Sequence, residues 1–189
     1  MKLFKVFLGI FVVVGLFFGI SLFFPSQYRI EKFTVVNIPV WQTYAYLNDM
    51  RNWQEWSPWN SDLDSTLKIS YTPVSTGTGA RQFIEGELYG KGFMEIALSI
   101  PNERIHYRLQ MNDSNINSSA TFVFEPIGNK TKLIWLDSGD VGNNPIYRYL
   151  LPSKVKSTEE AFQQGLITIK RAAENKALMN MAAPGLVRD

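Results

Sequence analysis

His106 is the only histidine in the 189 residues, and cysteine is absent. The missing thiols exclude disulfides, cysteine nucleophiles and cysteine-bound metals, and a lone imidazole excludes a multi-histidine metal site. His106 alternates with Ile105, Tyr107 and Leu109. If those three face a core, His106 faces solvent, and no serine–histidine pair forms inside. The carboxylates with catalytic potential are Glu85, Glu87 and Glu95, on two stretches joined by Gly90-Lys-Gly92. Glu87 and Glu95 could meet across that turn as a general acid–base pair. Ile84, Leu88, Met94 and Ile96 supply the apolar side of the same stretches, so a solvated outer face is expected instead. No catalytic residue is assigned. Metal-ligand spacings, glycine-rich phosphate loops and dinucleotide motifs are missing, so neither metal nor cofactor is expected.

Aromatic residues are the more unusual feature. Trp53, Trp56 and Trp59 recur every three residues, so at least two share a helix face. They could plug a core, line the mouth of a pocket, or touch a membrane interface. Tyr71, Phe83, Tyr107, Phe122, Trp135, Phe162 and Leu166 are further candidates for pocket walls or core.

These residues need elements to position them. Arg29–Ile38 reads as a strand, and Pro39 opens a helix with Val40, Tyr44 and Leu47 on its apolar face. Asp49–Trp59 reads as a short second helix ended by Ser57-Pro58. Period-two alternation then runs through 67–72, 82–88, 93–100, 105–110, 120–125 and 132–136, with turns at Gly77–Gly79, Gly90–Gly92, Pro101-Asn102 and Gly128-Asn129. Consecutive strands with short turns form an antiparallel meander with one buried face. Residues 139–145 form a link, and 146–151 a helical turn before Pro152. Ser157 and Glu160 match a capping box, so the last helix is expected to start there, with Phe162, Leu166, Ile169 and Ala173 on one face. This helix is the only long amphipathic element and must cover the sheet. The fold class is α+β: a seven-stranded antiparallel sheet around a long C-terminal helix. Residues 28–178 form this domain, and 179–189 lack a pattern and read as a flexible tail.

Residues 1–27 differ in kind. Val6–Phe24 is an apolar run of 19 residues broken only by Ser21, and Pro25 ends it. As a helix it is roughly 28 Å long, close to the hydrocarbon thickness of a bilayer. It reads as one N-terminal transmembrane helix, with a cleaved signal peptide and a secreted domain as the alternative. Lys2 and Lys5 precede the span, which favours a cytoplasmic N-terminus and a C-terminal domain on the outer, periplasmic or extracellular, side. Gly15 and Gly19 could support a weak homodimer through the span. Beyond residue 27 the chain holds 17 basic and 17 acidic residues. A neutral domain has no electrostatic footprint for phosphate backbones, so nucleic acid is not an expected partner.

One family resemblance runs along the domain. It is carried by Pro39-Val40-Trp41, Asp49-Met-Arg-Asn-Trp53-Gln-Glu-Trp56-Ser-Pro58-Trp59, Gly77-Thr-Gly79-Ala80 and Gly90-Lys-Gly92. Pro101-Asn-Glu-Arg-Ile105-His-Tyr107, Gly128-Asn-Lys-Thr131-Lys-Leu-Ile-Trp135 and Phe162-Gln-Gln-Gly165-Leu166-Ile-Thr-Ile-Lys170 complete it. In this order the segments resemble the START-like (SRPBCC) superfamily, in particular its polyketide cyclase/dehydrase-like, lipid-binding branch. The resemblance covers residues 28–176 and implies a helix-grip fold. It does not fix a function, because members range from lipid carriers and hormone receptors to cyclases. The expectation is a membrane-anchored binding protein that holds a hydrophobic small molecule or lipid. A cyclase or dehydratase acting on a small hydrophobic carbonyl compound is the alternative. A module that grips a peptide or partner protein is a third reading.

Overall fold

The computed structural model describes residues 2–57, 64–88, 90–111 and 116–182. Trp59, one of the candidate pocket residues, lies outside them. The chain forms two compact units, residues 1–30 with 138–160 and residues 31–137 with 161–189.

The first unit holds the apolar helix α1, Lys2–Ser21. Its stretch Phe4–Ser21 has a mean hydropathy of 2.3 and is long and apolar enough to cross a membrane. The helix stops three residues short of Phe24. A tight turn follows, in which the amides of Leu22, Phe23 and Phe24 reach back to the carbonyls of Gly19, Ile20 and Ser21. Pro25 disfavours helical geometry at the residue before it. The long helix α3, Pro145–Ala182, also begins in this unit. The capping box at Ser157 is not its start. Asn144 caps it instead, its Oδ1 accepting from the amides of Ile146 (3.0 Å) and Tyr147 (3.4 Å), and Pro145 sits where its missing N–H costs nothing. Ser157 lies inside the helix and donates its hydroxyl to the carbonyl of Lys154. Pro152 is tolerated within the helix, and the helix runs to Ala182, into the stretch read as a tail.

The sheet has seven antiparallel strands: β1 Gln27–Val36, β2 Lys68–Tyr71, β3 Arg81–Gly86, β4 Gly90–Ile100, β5 Arg104–Met111, β6 Ile116–Ile127 and β7 Lys130–Asp140, in spatial order β1-β7-β6-β5-β4-β3-β2. The meander is thus read correctly from the alternation, and the first strand closes onto the last. Helix α2, Val40–Asn48, and a 3-10 helix, Met50–Glu55, stand between β1 and β2. Among the described residues of the Asp49–Trp59 stretch, the six of Met50–Glu55 are helical, and Asp49 is their cap. Its carboxylate accepts from the amide of Arg51 and the hydroxyl of Ser75.

In the second unit the core lies where the concave side of the sheet meets α3. Ile84, Ile96, Ile105, Phe122 and Leu133 point inward from the strands, and Leu166, Ile169 and Ala173 meet them from the helix; each is at most 1% exposed. One register shift matters. Between Ile96 and Leu98 the β4–β5 pairing carries a bulge. The extra residue, Ala97, turns Leu98 outward beside His106 and Ser99 inward beside Ile105. Ser99 then donates to Asn48 Oδ1 (2.6 Å) and accepts from the hydroxyl of Tyr44 (2.7 Å), which fastens α2.

A second fastening is Thr131, fully buried in β7. Its hydroxyl donates to the carbonyl of Ile38 (2.8 Å) and accepts from Thr43 of α2 (3.0 Å). Thr131→Val keeps the shape and strands both partners, so thermal or chemical unfolding should show a loss of about 1–2 kcal/mol. Gly165 permits a close approach of helix and sheet: a Cβ there would stand 2.7 Å from the Trp135 ring. Gly165→Ala should therefore lower the melting temperature, although alanine gains about 1 kcal/mol of helix propensity. A rise on substitution would mean that the ring moves freely.

Candidate ligand-binding site

The concave face is dominated by aromatic rings, and the structure brings most of the sequence-selected residues together there. The 3-10 helix and its C-cap deliver Trp53 and Trp56, whose ring centroids are 5.1 Å apart. Trp53 meets Tyr107 edge-on at 5.0 Å, and Phe122 lies 5.5 Å from Tyr107 and 4.8 Å from Trp135. Trp135 stacks on Phe162 of α3 at 4.1 Å and an interplanar angle of 9°. Leu166 is fully buried one turn further along α3. These side chains pack on one another rather than line an empty chamber.

The register does not bring Tyr71 and Phe83 into that cluster. Tyr71 pairs with Gln82 at the sheet edge and accepts a hydrogen bond from Gln54 Nε2 (2.5 Å). Phe83 was a candidate wall residue, but it points the other way. It is 39% exposed and lies 6.2 Å from Phe93 on the outer face. The cause is Gln82. Ala80, Gln82 and Ile84 are the buried members of this strand and its approach, so the odd-numbered residues face out.

The carboxylates take the positions expected of an outer face. Glu95 lies opposite Arg81 and Arg108, with guanidinium contacts of 3.5 and 3.2 Å. Glu87 sits in the turn after β3, at the other end of the hairpin, so the two do not form a pair. Glu85 contacts Lys91 at 2.8 Å, and this hydrogen bond and charge hold its carboxyl below the usual range. His106 is on the outer face, its Nδ1 3.0 Å from the Thr121 hydroxyl.

Polar groups that do face inward were missed by pattern reading. Gln82 is completely buried, and neither its Oε1 nor its Nε2 has a hydrogen-bond partner among the described residues. Its sheet neighbours are Tyr71 and Met94, both uncharged. The indole N–H of Trp56 is also buried without a partner, whereas that of Trp53 donates to the Leu47 carbonyl at 2.8 Å. The Tyr107 hydroxyl accepts from Trp135 Nε1 (3.1 Å), and burial pushes its ionisation well above the ordinary range. It is a neutral phenol at any physiological pH. Asp137, two residues beyond Trp135 and so on the same face, adds to that rise through its charge. The signal for Asp137 in the sequence is its spacing from Trp135. For Gln82 it is its spacing from Ile84.

Beside this core, α2, the 3-10 helix and α3 enclose a groove of about 310 Å³, lined by Ile38, Trp41, Tyr46, Asn52, Ala173 and Lys176 among others. Its lining mixes apolar side chains with Gln42, Asp49, Asn52 and Asn180. Its one cation, Lys176, donates to Asn52 Oδ1 and lies 5.8 Å from the centre of the Tyr46 ring.

Comparison with known proteins fits this geometry. Solved structures share the fold at low sequence identity. MLL2253 from Mesorhizobium loti matches with a TM-score of 0.57 at 15% identity, over 78% of this chain and 98% of that one. SA2116 from Staphylococcus aureus, a protein of unknown function, matches with 0.59 at 10%, over 80% and 96%. BexL, a di-domain ARO/CYC of the BE-7585A biosynthetic pathway, matches with 0.55 at 17%, over 78% of this chain and 46% of BexL. No curated protein matches in sequence. The family profile described as polyketide cyclase / dehydrase and lipid transport matches residues 27–174, and the chain belongs to that family.

Proposed function

We propose that the chain is a binding protein which holds a hydrophobic small molecule or lipid against the concave face of its sheet, close to a bilayer crossed by residues 6–24. The single observation that carries this reading is Gln82. A carboxamide with no partner in an apolar core costs about 1–3 kcal/mol, and a chain keeps such a group where something else satisfies it. A polar group on an otherwise apolar ligand would do so, and the Trp56 N–H offers a second donor. The groove beside the core offers about 310 Å³, at the lower end of the range for small-molecule sites, and neither Gln82 nor Trp56 lines it, so a ligand would extend from it toward those two groups. Because the aromatic cluster is closely packed, larger ligands would have to displace rings. The family description, which includes lipid transport, agrees with this reading. With Lys2 and Lys5 held in the cytoplasm, the domain would face the outer side of the membrane.

A second reading, a cyclase or dehydratase acting on a small hydrophobic carbonyl compound, is favoured by one feature. Asp137 and the neutral phenol of Tyr107 share the concave face, as a base and a proton donor would.

The binding reading is tested on the full chain purified in an amphipathic polymer. Native mass spectrometry and organic extraction should find a bound apolar molecule carrying a polar group. Gln82→Met should reduce its occupancy at least about tenfold and raise the melting temperature of the emptied protein, since the orphaned amide is gone. An empty wild-type chain, or a Gln82→Met chain that binds as before, would overturn the proposal. For the second reading, Asp137→Asn should slow cyclisation of a linear β-polyketone ester by roughly 10²-fold or more. No turnover by the wild-type chain removes it.

A further inference from the structure

Within the first unit, the start of α3 is built against the end of α1. The Tyr149 ring stacks on Phe17 at 4.9 Å and 30°, and lies 4.9 Å from Phe24. Its hydroxyl donates to the Phe17 carbonyl at 2.8 Å. Phe17 is one turn inside the last residue of α1, so this contact sits about 6 Å along the axis from the helix end. Arg148 holds that end. Its guanidinium donates to the Gly142 carbonyl (2.8 Å), to Asn143 Oδ1 (2.9 Å) and, at 3.5 Å, to the Ser21 carbonyl, where a cation suits the helix dipole.

The same two turns of α3 carry an apolar face that no described residue covers. Ile146, Tyr147 and Leu150 are 56, 58 and 58% exposed, while Leu151 is buried. Their spacing of one and three places all three on one side of the helix. Lys154 follows one turn later, its ammonium 5.1 Å from the Tyr28 ring centre.

We propose that residues 145–151 lie in the interface of the bilayer that α1 crosses, as a second membrane contact of the same chain. The inference rests on α1 being a span. Three observations select lipid as the occupant. The segment is packed on α1 at the level of its last turn, which a membrane-spanning α1 would place at the edge of the hydrocarbon. Tyr147 and Tyr149 are the residue type that settles at headgroup depth. Lys154 has a long stem that lets its charge reach lipid phosphates while the stem stays apolar. A bilayer covers Ile146, Tyr147 and Leu150 without requiring any further protein.

The absence of native cysteine makes the test direct. In the full chain, reconstituted in vesicles of phosphatidylcholine with phosphatidylglycerol, an environment-sensitive fluorophore is attached in turn through Val13→Cys, Tyr147→Cys, Leu150→Cys and Gln163→Cys. Lipids carrying a nitroxide near the headgroup should remove about half of the emission at positions 147 and 150 and little at 163. Lipids with a deep nitroxide should quench position 13. Quenching at 13 but not at 147 and 150 would overturn this inference alone. Positions 147 and 150 shielded from aqueous iodide yet unquenched by lipid would overturn it too, and would point to a protein partner or a second copy. No quenching at 13, with release of the chain by alkaline carbonate, would defeat the anchor itself.

Discussion

The contact of Trp135 with α3 is the constraint on which the second unit depends. A sheet with one apolar face needs a cover, and a helix can approach it closely only where its own side chains leave room. Gly165 provides that room, and Phe162, one turn earlier, gives the indole a parallel surface 4.1 Å away. The Trp135 N–H is directed to Tyr107, which in turn stacks on Phe122 and meets Trp53. One glycine thus aligns a chain of rings that runs from the helix across the sheet to the 3-10 helix. The position of every candidate binding residue in the core is measured from this contact.

The polar groups gain their meaning from the same packing. In water, a carboxamide, an indole N–H and a phenol are ordinary side chains. Enclosed by Met94, Ile84 and the aromatic cluster, they become strong demands for partners, because the low dielectric penalises each unmade bond. Tyr107 has a partner and is held neutral. Gln82 has none among the described residues, and its sheet neighbours are uncharged. On the proposed binding reading, the surroundings of Gln82 suit a ligand whose polar part is uncharged and whose bulk is apolar. Arg81, Glu95 and Arg108 are engaged with one another on the opposite side, whereas Asp137 brings a charge to the concave face near Tyr107.

Much of this was legible in the sequence. Strand order, the meander and the inward-facing rings followed from alternation, because Ile96, Ile105 and Phe122 are apolar where the pleat points inward. Reading failed where residue type and position disagree. Phe83 is aromatic and faces out, while Gln82 is polar and faces in, so hydrophobicity alone inverts the strand at this point. Asp137 was overlooked for the same reason. Glu87 and Glu95 looked adjacent across a turn, yet the pairing of Gly86 with Gly90 places Glu95 opposite Arg81. Ser157 and Glu160 match a helix start in isolation. Asn144, followed by Pro145, caps the chain thirteen residues earlier, and the continuing ladder then absorbs the serine.

The bulge at Ala97 has a wider consequence. A regular strand gives each of its sides a single task along its whole length. One additional residue lets β4 change task midway: before it, Met94 and Ile96 are wall, and after it, Ser99 is a bracket for α2. The 3-10 helix that follows α2 carries Trp53 and ends on Trp56 as its C-cap, so the seating of both tryptophans is geared to a single irregularity at the far end of the hairpin. Relatives that lengthen or shorten β4 by one residue would re-aim the aromatic floor without altering any residue in it.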